Sequence, residues 1–280
     1  MSTLIQLNLS KSTKHKMPVF YDQLDREIHL PGTPKRIISV VPSQTELLFY
    51  LGLNEEIIGI TKFCIHPADK FKSTPKIGGT KQLDIAKIKA LKPDLIIANK
   101  EENERSQIEE LMDLCPVWIS DISNLEGAID MIERVGALVD RVVEANALSK
   151  AIDQRFNNFK IQQTELCTAY FIWRKLYMVA GRNTFINNML QKCGLTNAFN
   201  MDRYPEIDAN TLIKTNPDVI LLSSEPYPFK EKHIAEFKAL LPSAIIKIVD
   251  GELFSWYGSR LLHAPEYFEK LITELKSVQS

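Results

Sequence analysis

The chain has 280 residues, of which 45% are hydrophobic and 25% are charged, and its formal net charge is −1. This composition is typical of a globular protein with room for two modest domains. A nearly neutral charge gives no field that favours nucleic acid, and no apolar run approaches the roughly 20 residues that span a bilayer. We therefore expect neither a nucleic-acid partner nor a membrane span.

The first sixteen residues predict a loose tail. Their apolar residues precede Lys11, Lys14 and Lys16, whereas a secretory signal places positive charge before a longer apolar core. The cysteines of the chain are Cys64, Cys115, Cys167 and Cys193. None lies near the start, where a lipid would be attached, and their spacing is not that of a zinc site, so buried reduced thiols are expected. These features predict a cytoplasmic protein; the alternative is a periplasmic or cell-surface protein whose signal has been removed.

Strands and helices are predicted to alternate along the chain. Residues 19–30 predict a small hairpin, and residues 37–41 predict a buried strand that Pro42 ends. Residues 43–46 have the S-x-x-E spacing of a capping box, which predicts that a helix begins there. Residues 57–60 predict the next strand.

Two stretches of the chain repeat one another without a gap. The aligned pairs are Asp84 with Asp208, Pro93 with Pro217, Asp94 with Asp218, Ile96 with Ile220, and Glu101 with Glu225. In each copy the first aspartate suits a helix N-cap, the proline ends that helix, and the apolar run that follows predicts a parallel strand covered on both faces. The repeat therefore predicts two related lobes with a cleft between them.

Residues 125–160 connect the two predicted lobes. Apolar residues recur there at helical spacing and no proline interrupts them, which predicts one long helix that acts as a stiff strut. Later elements are a strand at 169–173, a helix at 183–190, a strand at 245–249 and an amphipathic helix at 261–276.

The predicted fold class is α/β, with two Rossmann-like βα sandwich lobes joined by one long rigid helix. Its predicted parts are a tail at 1–16, an N-terminal lobe at 17–123, a connecting helix at 124–161 and a C-terminal lobe at 162–280.

Ligands of open parallel sheets bind beyond the carboxyl ends of the strands. That rule selects a set of polar and aromatic candidates from both lobes: Ser43, Gln44, Phe63, His66, Glu101, Trp173, Arg174, Glu225, Tyr227, Trp256, Tyr257 and Arg260. Aromatic rings flanked by polar groups suit a large, flat, partly apolar ligand. Glu101 and Glu225 either bind cationic or hydroxyl-rich parts of a ligand or are ordinary solvated residues. Arg260 either binds a carboxylate or phosphate or pairs with a nearby acid.

Cys64 and His66 are the candidates for metal ligation. They are two positions apart, so an extended chain would direct both side chains the same way. No third ligand is evident nearby, and a lone Cys–His pair is more often structural. The sequence contains no G-x-S-x-G, H-E-x-x-H or G-x-G-x-x-G motif, so no motif supports catalysis.

Three segments resemble a known family: Pro34-Lys35-Arg36-Ile37-Ile38-Ser39 with Pro42-Ser43-Gln44-Thr45-Glu46, Ala90-Leu91-Lys92-Pro93-Asp94-Leu95-Ile96-Ile97-Ala98, and Cys193-Gly194-Leu195-Thr196-Asn197-Ala198-Phe199. They resemble the helical-backbone, or class III, substrate-binding proteins of ABC importers, nearest to the vitamin B12-binding type. Such proteins bind corrinoids, iron–siderophores, haem or metal ions between two lobes. The resemblance implies a monomeric, non-enzymatic binder of a metal chelate, a corrinoid before haem or an iron–siderophore, without a prosthetic group of its own.

The resemblance also implies a glutamate on each lobe where members dock on a permease. Alignment through the repeated Pro-Asp pairs places these positions at Ala86 and Asn210, and neither is acidic. The loss of both charges should weaken docking. Two alternatives therefore stay open. One is an intracellular sensor or scavenger of such a ligand. The other is a chelatase-like enzyme on a metal tetrapyrrole, with His66 and Glu101 as its acid–base and metal-handling groups.

Overall fold

The computed structural model describes residues 19–160 and 163–279, with the side chain of residue 279 left out. The tail predicted at 1–16 lies outside these residues. A short antiparallel hairpin opens the described chain, formed by β1 (Val19–Tyr21) and β2 (Glu27–His29). The hairpin predicted at 19–30 is thus confirmed.

The N-terminal lobe, or N-lobe, is built on a parallel sheet of four strands: β3 (Ile37–Ser39), β4 (Ile57–Ile60), β5 (Leu95–Asn99) and β6 (Val117–Ser120). Their order in the sheet is β4-β3-β5-β6. Its helices are α1 (Pro42–Tyr50), α2 (Ala68–Ser73), α3 (Ile85–Leu91) and α4 (Arg105–Met112). All five residues of β5 are buried, as expected for a strand covered on both faces.

Two helices follow the N-lobe, α5 (Leu125–Leu138) and α6 (Val142–Asn158). The C-terminal lobe, or C-lobe, has a second sheet with the strands β7 (Cys167–Trp173), β8 (Met178–Val179), β9 (Thr196–Asn197), β10 (Val219–Ser223) and β11 (Ile245–Val249). Their order is β11-β10-β7-β8, β9 also pairs with β7, and β8 is the antiparallel strand of this sheet. Its helices are α7 (Phe185–Cys193), α8 (Ala209–Thr215), α9 (Glu231–Leu240), α10 (Glu252–Ser255), a 3-10 helix (Ser259–Leu262) and α11 (Ala264–Gln279).

The repeated aspartates cap equivalent helices in the two lobes. Asp84 Oδ1 accepts a hydrogen bond from the Lys87 amide at 3.0 Å, and Asp208 Oδ1 accepts one from the Thr211 amide at 2.7 Å. These are N-caps of α3 and α8, where side-chain oxygens satisfy amides that lack a helical acceptor. The caps predicted from the repeat are confirmed in both copies.

The second repeated aspartate ties together the starts of two neighbouring strands. Asp94 accepts hydrogen bonds from the amides of Lys35 and Arg36 at 2.8 and 2.9 Å, just before β3. Asp218 accepts one from the Cys167 amide at 2.9 Å, at the first residue of β7. The repeated Pro-Asp therefore fixes the central strand of each sheet to its neighbour, which explains why both copies keep it.

The prediction of one long helix between the lobes is wrong. The chain turns between α5 and α6, where Asp140 adopts a left-handed conformation with φ 58°. The Arg141 amide donates a hydrogen bond to the Gly136 carbonyl at 2.7 Å, and the Asp140 amide donates one to the Ala137 carbonyl at 3.4 Å. This is the Schellman pattern that ends helices. Glycine is the usual residue at its left-handed position, and Asp140 stands there instead, so the sequence lacks the usual signal.

Substitution Asp140→Gly is expected to raise the free energy of unfolding by about 0.5–1 kcal/mol, because glycine adopts positive φ without steric cost. Urea unfolding measures the change. The control Asp153→Gly, inside α6, should instead lower stability slightly, by about 0.3 kcal/mol, since glycine disfavours a helix interior somewhat more than aspartate does. Equal effects of the two substitutions would contradict the turn at 139–141.

The predicted capping box is also wrong. Helix α1 begins at Pro42 and its N-cap is Val41, so Ser43 lies within the first helical turn. Proline favours this first position because its ring fixes φ and the missing N–H is not needed there. Glu46 is consequently free of a capping role.

One hydrophobic cluster extends through both lobes and the helices between them. It includes Ile97 of β5, Met131 of α5, Phe185 of α7 and Phe268 of α11. A second, smaller cluster, around Phe171 and Phe237, lies within the C-lobe. The shared cluster fixes the lobes side by side and thereby sets where their loops meet. Among residues 19–160 and 163–279, no helix is both long and apolar enough to cross a bilayer.

Candidate functional site

The site lies where loops beyond the strand ends of the N-lobe contact the C-lobe segment that follows β11. Trp256 is its central ring. The ring of His66, from the loop after β4, meets Trp256 edge-on at 5.5 Å, and the guanidinium of Arg260 lies 5.0 Å from the Trp256 ring centre. His66 also contacts a carboxylate oxygen of Glu252 at 3.2 Å. The structure thus brings together three of the predicted residues, His66, Trp256 and Arg260.

Arg260 pairs with acids from both lobes. It donates to Glu46 of α1 at 2.7 and 3.1 Å, and it lies 2.8 Å from Glu252 of the C-lobe. All three side chains are largely shielded from solvent. Of the two roles left open for Arg260, pairing with nearby acids is the one that the structure shows.

Asn99 positions two consecutive glutamates at the end of β5. Its side-chain oxygen accepts hydrogen bonds from the amides of Glu101 and Glu102 at 2.8 and 3.0 Å. Its side-chain nitrogen donates to Ser120 Oγ at 2.9 Å, which holds the turn against β6. The buried side chain of Asn99 therefore fixes the backbone of Glu101 and Glu102 at the edge of the sheet.

Glu101 forms an ion pair across the lobes with Arg203, and the Tyr204 hydroxyl lies 3.4 Å from its carboxylate. Arg203 belongs to a tight loop and has a left-handed φ of 64°. The loop packs so closely on Gly181 that a Cβ there would collide with the Met201 carbonyl oxygen. Glycine at this position lets the loop reach the N-lobe.

Glu102 and Glu225 are two shielded carboxylates that repel one another. Burial raises the pKa of Glu102 to about 7, a hydrogen bond from Tyr257 opposes this, and Glu225 adds to it. The Tyr257 hydroxyl donates to Glu102 at 2.6 Å across the lobes. Burial also raises the pKa of Glu225, although Ser255 donates to its carboxylate at 2.5 Å. A cation or an N–H donor placed between these carboxylates would be stabilised.

Three predicted residues lie in a separate cluster of the C-lobe. The rings of Trp173 and Tyr227 are 5.8 Å apart, and the Tyr227 hydroxyl contacts His233 at 3.3 Å. Arg174 pairs with Glu236 at 2.8 Å. The described contacts of these side chains all lie within the C-lobe, so the structure does not join them to the Trp256 cluster.

The proposed pairing of Cys64 with His66 as metal ligands loses its geometric basis. The segment is not extended, because the Cys64 amide turns back to the Thr61 carbonyl at 3.2 Å. The Cys64 sulphur is buried under the hydroxyls of Thr45 and Thr61, and burial raises the pKa of its thiol to about 11. His66 instead contacts Glu252. No cluster of three or more His, Cys, Asp or Glu suited to a metal occurs among the residues described.

The remaining predicted residues are Phe63, Ser43 and Gln44. Phe63 is 51% exposed and its ring is approached by the Lys62 ammonium at 5.1 Å. Ser43 and Gln44 are buried in the first turn of α1. Gly258 of the C-lobe lies directly over this turn, since a Cβ there would come 3.1 Å from the Ser43 carbonyl oxygen.

Several site residues were missed in the sequence: Glu46, Glu102, Arg203, Tyr204, Glu252 and Ser255. The rule of strand ends selects the segments 99–103 and 254–260, which contain Glu102 and Ser255, but neither residue was named as a candidate. Glu46 was assigned to a cap, Arg203 and Tyr204 lie in a loop, and Glu252 and Ser255 lie in the short helix α10. The partners of these residues are distant in sequence.

The sequence pattern of the periplasmic binding protein family matches residues 37–245. The chain belongs to the periplasmic binding protein family. A vitamin B12-binding protein of Vibrio campbellii is 26% identical over 205 residues, 69% of this chain and 72% of that protein. An uncharacterized ABC transporter substrate-binding lipoprotein of Bacillus subtilis is 25% identical over 231 residues, 74% and 71% of the two chains.

A solved structure shows the same fold. The periplasmic vitamin B12-binding protein of Vibrio cholerae superimposes with a TM-score of 0.75 at 22% identity, covering 89% of this chain and all of that one. The class III, two-lobed fold expected from the resemblance is therefore confirmed, apart from the broken connecting helix.

The family contradicts the predicted cytoplasmic location. The Bacillus subtilis relative is named a lipoprotein and the Vibrio cholerae structure a periplasmic protein, which points to an extracytoplasmic location. The order of charges in a short tail is a weak signal beside a likeness over most of the chain. The intracellular sensor considered above loses its basis with that location. Ala86 of α3 and Asn210 of α8, the expected docking positions, are exposed.

Proposed function

We propose that the chain is the solute-binding protein of an ABC importer and binds a metal chelate, a corrinoid first, between its lobes. The convergence of N-lobe and C-lobe loops on Trp256 is the observation that carries this proposal. The family and its vitamin B12-binding relatives support it. A binding role, without catalysis, is the activity that such a family implies.

The chemistry of the site suits a large ligand with polar edges. Trp256 is 7% exposed and would offer an aromatic surface once the lobes part. The carboxylates of Glu102 and Glu225 offer acceptors whose mutual repulsion a cationic metal centre or N–H donors would relieve. Tyr257 brings a hydroxyl to the same place. Flat rings with amide edges, as in corrinoids, provide both kinds of contact.

The polar contacts between the lobes at this site can be replaced by contacts with a solute. Glu101–Arg203 and His66–Glu252 are partly exposed polar pairs, and each contributes only about 0–1 kcal/mol. The shielded hydrogen bond from Tyr257 to Glu102 can be exchanged for one with the solute. The hydrophobic cluster shared by the lobes lies elsewhere and holds them together. We therefore expect the lobes to part modestly at the Trp256 side when a solute enters.

The chelatase-like alternative finds no support in the geometry. It requires His66 and Glu101 to act together as acid–base groups. His66 contacts Glu252, whereas Glu101 pairs with Arg203 in a different part of the site.

Gel filtration with hydroxocobalamin, dicyanocobinamide, hemin and ferrichrome tests the proposal, because each bound chelate is followed by its own colour. We expect a corrinoid to co-elute at micromolar protein. Trp256→Phe should weaken binding about two- to tenfold, the range for one aromatic contact. The matched control Trp173→Phe, in the separate cluster, should leave it unchanged.

Absence of any co-eluting chelate would refute the proposed class of ligand. An effect of Trp173→Phe as large as that of Trp256→Phe would instead move the site to the Trp173 cluster.

A further inference from the structure

The N-terminus of α1 is buried and has no cap. Its N-cap residue, Val41, has no polar side chain, and Pro42 has no N–H. The amides of Ser43 and Gln44 therefore have no acceptor within the helix, and none of the described residues accepts a hydrogen bond from them. Ser43 is 2% exposed and Gln44 0% exposed, so bulk water does not replace the missing partners. Buried helix ends are normally satisfied.

Two side-chain atoms of the same turn also lack partners. They are Ser43 Oγ and Gln44 Oε1, both buried and without a hydrogen-bond partner among the described residues. Ser120 fixes the orientation of the Gln44 amide. Its Oγ donates to the Ala98 carbonyl at 3.2 Å and so accepts from Gln44 Nε2. Gln44 Oε1 is thereby left as a free acceptor.

This turn lies at the boundary between the lobes. Gly258 covers Ser43 from the C-lobe, in the segment between Trp256 and Arg260. Arg260 in turn reaches Glu46 of the same helix. Separation of the lobes at Trp256 would uncover the first turn of α1 and admit a polar group of the solute.

The unpaired groups comprise two N–H donors, a hydroxyl and an amide oxygen that can only accept. We infer that the N-terminus of α1 is a subsite for a primary carboxamide of the bound solute, an inference that rests on the function proposed above. The carboxamide oxygen accepts from the amides of Ser43 and Gln44 and from the Ser43 hydroxyl, and its NH₂ donates to Gln44 Oε1. A carboxylate has no proton to donate, so it would leave Gln44 Oε1 unpaired and lie near Glu46. The subsite therefore selects amide-edged corrinoids over haem, whose edge groups are carboxylates.

Ser43→Ala tests the subsite, because it removes the hydroxyl without adding bulk. We expect its affinity for dicyanocobinamide to fall about three- to tenfold, the effect of one neutral hydrogen bond. Its unfolding midpoint without ligand should be unchanged or higher, because an unpaired buried hydroxyl does not stabilise the fold. Binding of hemin by the wild-type chain should be weaker and insensitive to the substitution.

Ser149→Ala is the matched control, because Ser149 Oγ in α6 is likewise buried and unpaired. It should leave the affinity for dicyanocobinamide unchanged. The subsite is overturned if Ser43→Ala binds dicyanocobinamide like the wild type, if it weakens hemin equally, or if it lowers the unfolding midpoint without weakening binding. If the wild-type chain binds no chelate, the proposed function fails, and the subsite fails with it.

Discussion

Replacement of Arg260 by alanine is expected to lower the free energy of unfolding by about 2–4 kcal/mol. Arg260 neutralises Glu46 and Glu252 at once, at 2.7 and 2.8 Å. Without it, two largely shielded carboxylates would face each other, with only His66 beside Glu252. Loss of one partner from a shielded ion pair leaves an uncompensated charge, which is costly, whereas the pair itself contributes little. The guanidinium of Arg260 also lies over the Trp256 ring, and this cation–π contact would be lost as well.

Urea unfolding at neutral pH measures this change. Arg182→Ala is the matched control, because Arg182 forms an ion pair with Asp202 in which both side chains are about half exposed. It should lower stability by about 0–1 kcal/mol. The conservative Arg260→Lys should fall between the two, since lysine keeps the charge but not the fork that contacts both acids. Equal losses for Arg260→Ala and Arg182→Ala would show that the cross-lobe cluster is not shielded.

The central strands and their caps could be predicted because their signals are local. Continuous apolar runs that follow Pro93-Asp94 and Pro217-Asp218 specify a buried strand, and Asp84 and Asp208 specify the caps. Because the pattern occurs twice in the chain, the prediction for each copy supports the prediction for the other. The sheet order itself was not predictable from these signals, because it depends on contacts between distant segments.

The break between α5 and α6 shows where a local signal fails. Apolar residues keep helical spacing through the turn, so the periodicity of the sequence does not change there. The turn depends on one residue, Asp140, in a left-handed conformation that aspartate adopts less readily than glycine. Close packing of the two helices favours the turn against the propensity of the sequence.

The sequence could predict where the residues of the candidate site lie in the fold, but not which residues they contact. The rule of strand ends selected His66, Trp256 and Tyr257 as ligand-binding candidates, and the structure places these residues at the lobe boundary. It could not reveal that Glu46 meets Arg260, 214 positions later. Nor could it separate Trp173 and Tyr227 from the rest, because every strand of a sheet has a carboxyl end and only some of these ends face the other lobe.

Glu102→Gln is expected to stabilise the protein above neutral pH. Burial raises the pKa of Glu102 from 4.5 to about 7. The folded chain therefore binds more protons than the unfolded chain between these values, and stability falls as the pH rises through this interval. Glutamine carries no charge to desolvate, and its oxygen can still accept from Tyr257. At about pH 8.5 the variant should be more stable by about 1–3 kcal/mol, and near pH 4.5 the difference should vanish.

Urea unfolding of both proteins across this pH range measures the effect, with Glu104→Gln as the control because Glu104 is exposed two positions away. That control should show no such dependence on pH. Repulsion between Glu102 and Glu225 adds a further requirement. If the two carboxylates repel one another, Glu225→Gln alone should lower the pKa of Glu102. The double variant should then gain less stability than the sum of the gains of the two single variants. A gain that is the same at both ends of the range would mean that Glu102 ionises as an ordinary solvated acid, and the two carboxylates would then not form one shielded acceptor site between the lobes.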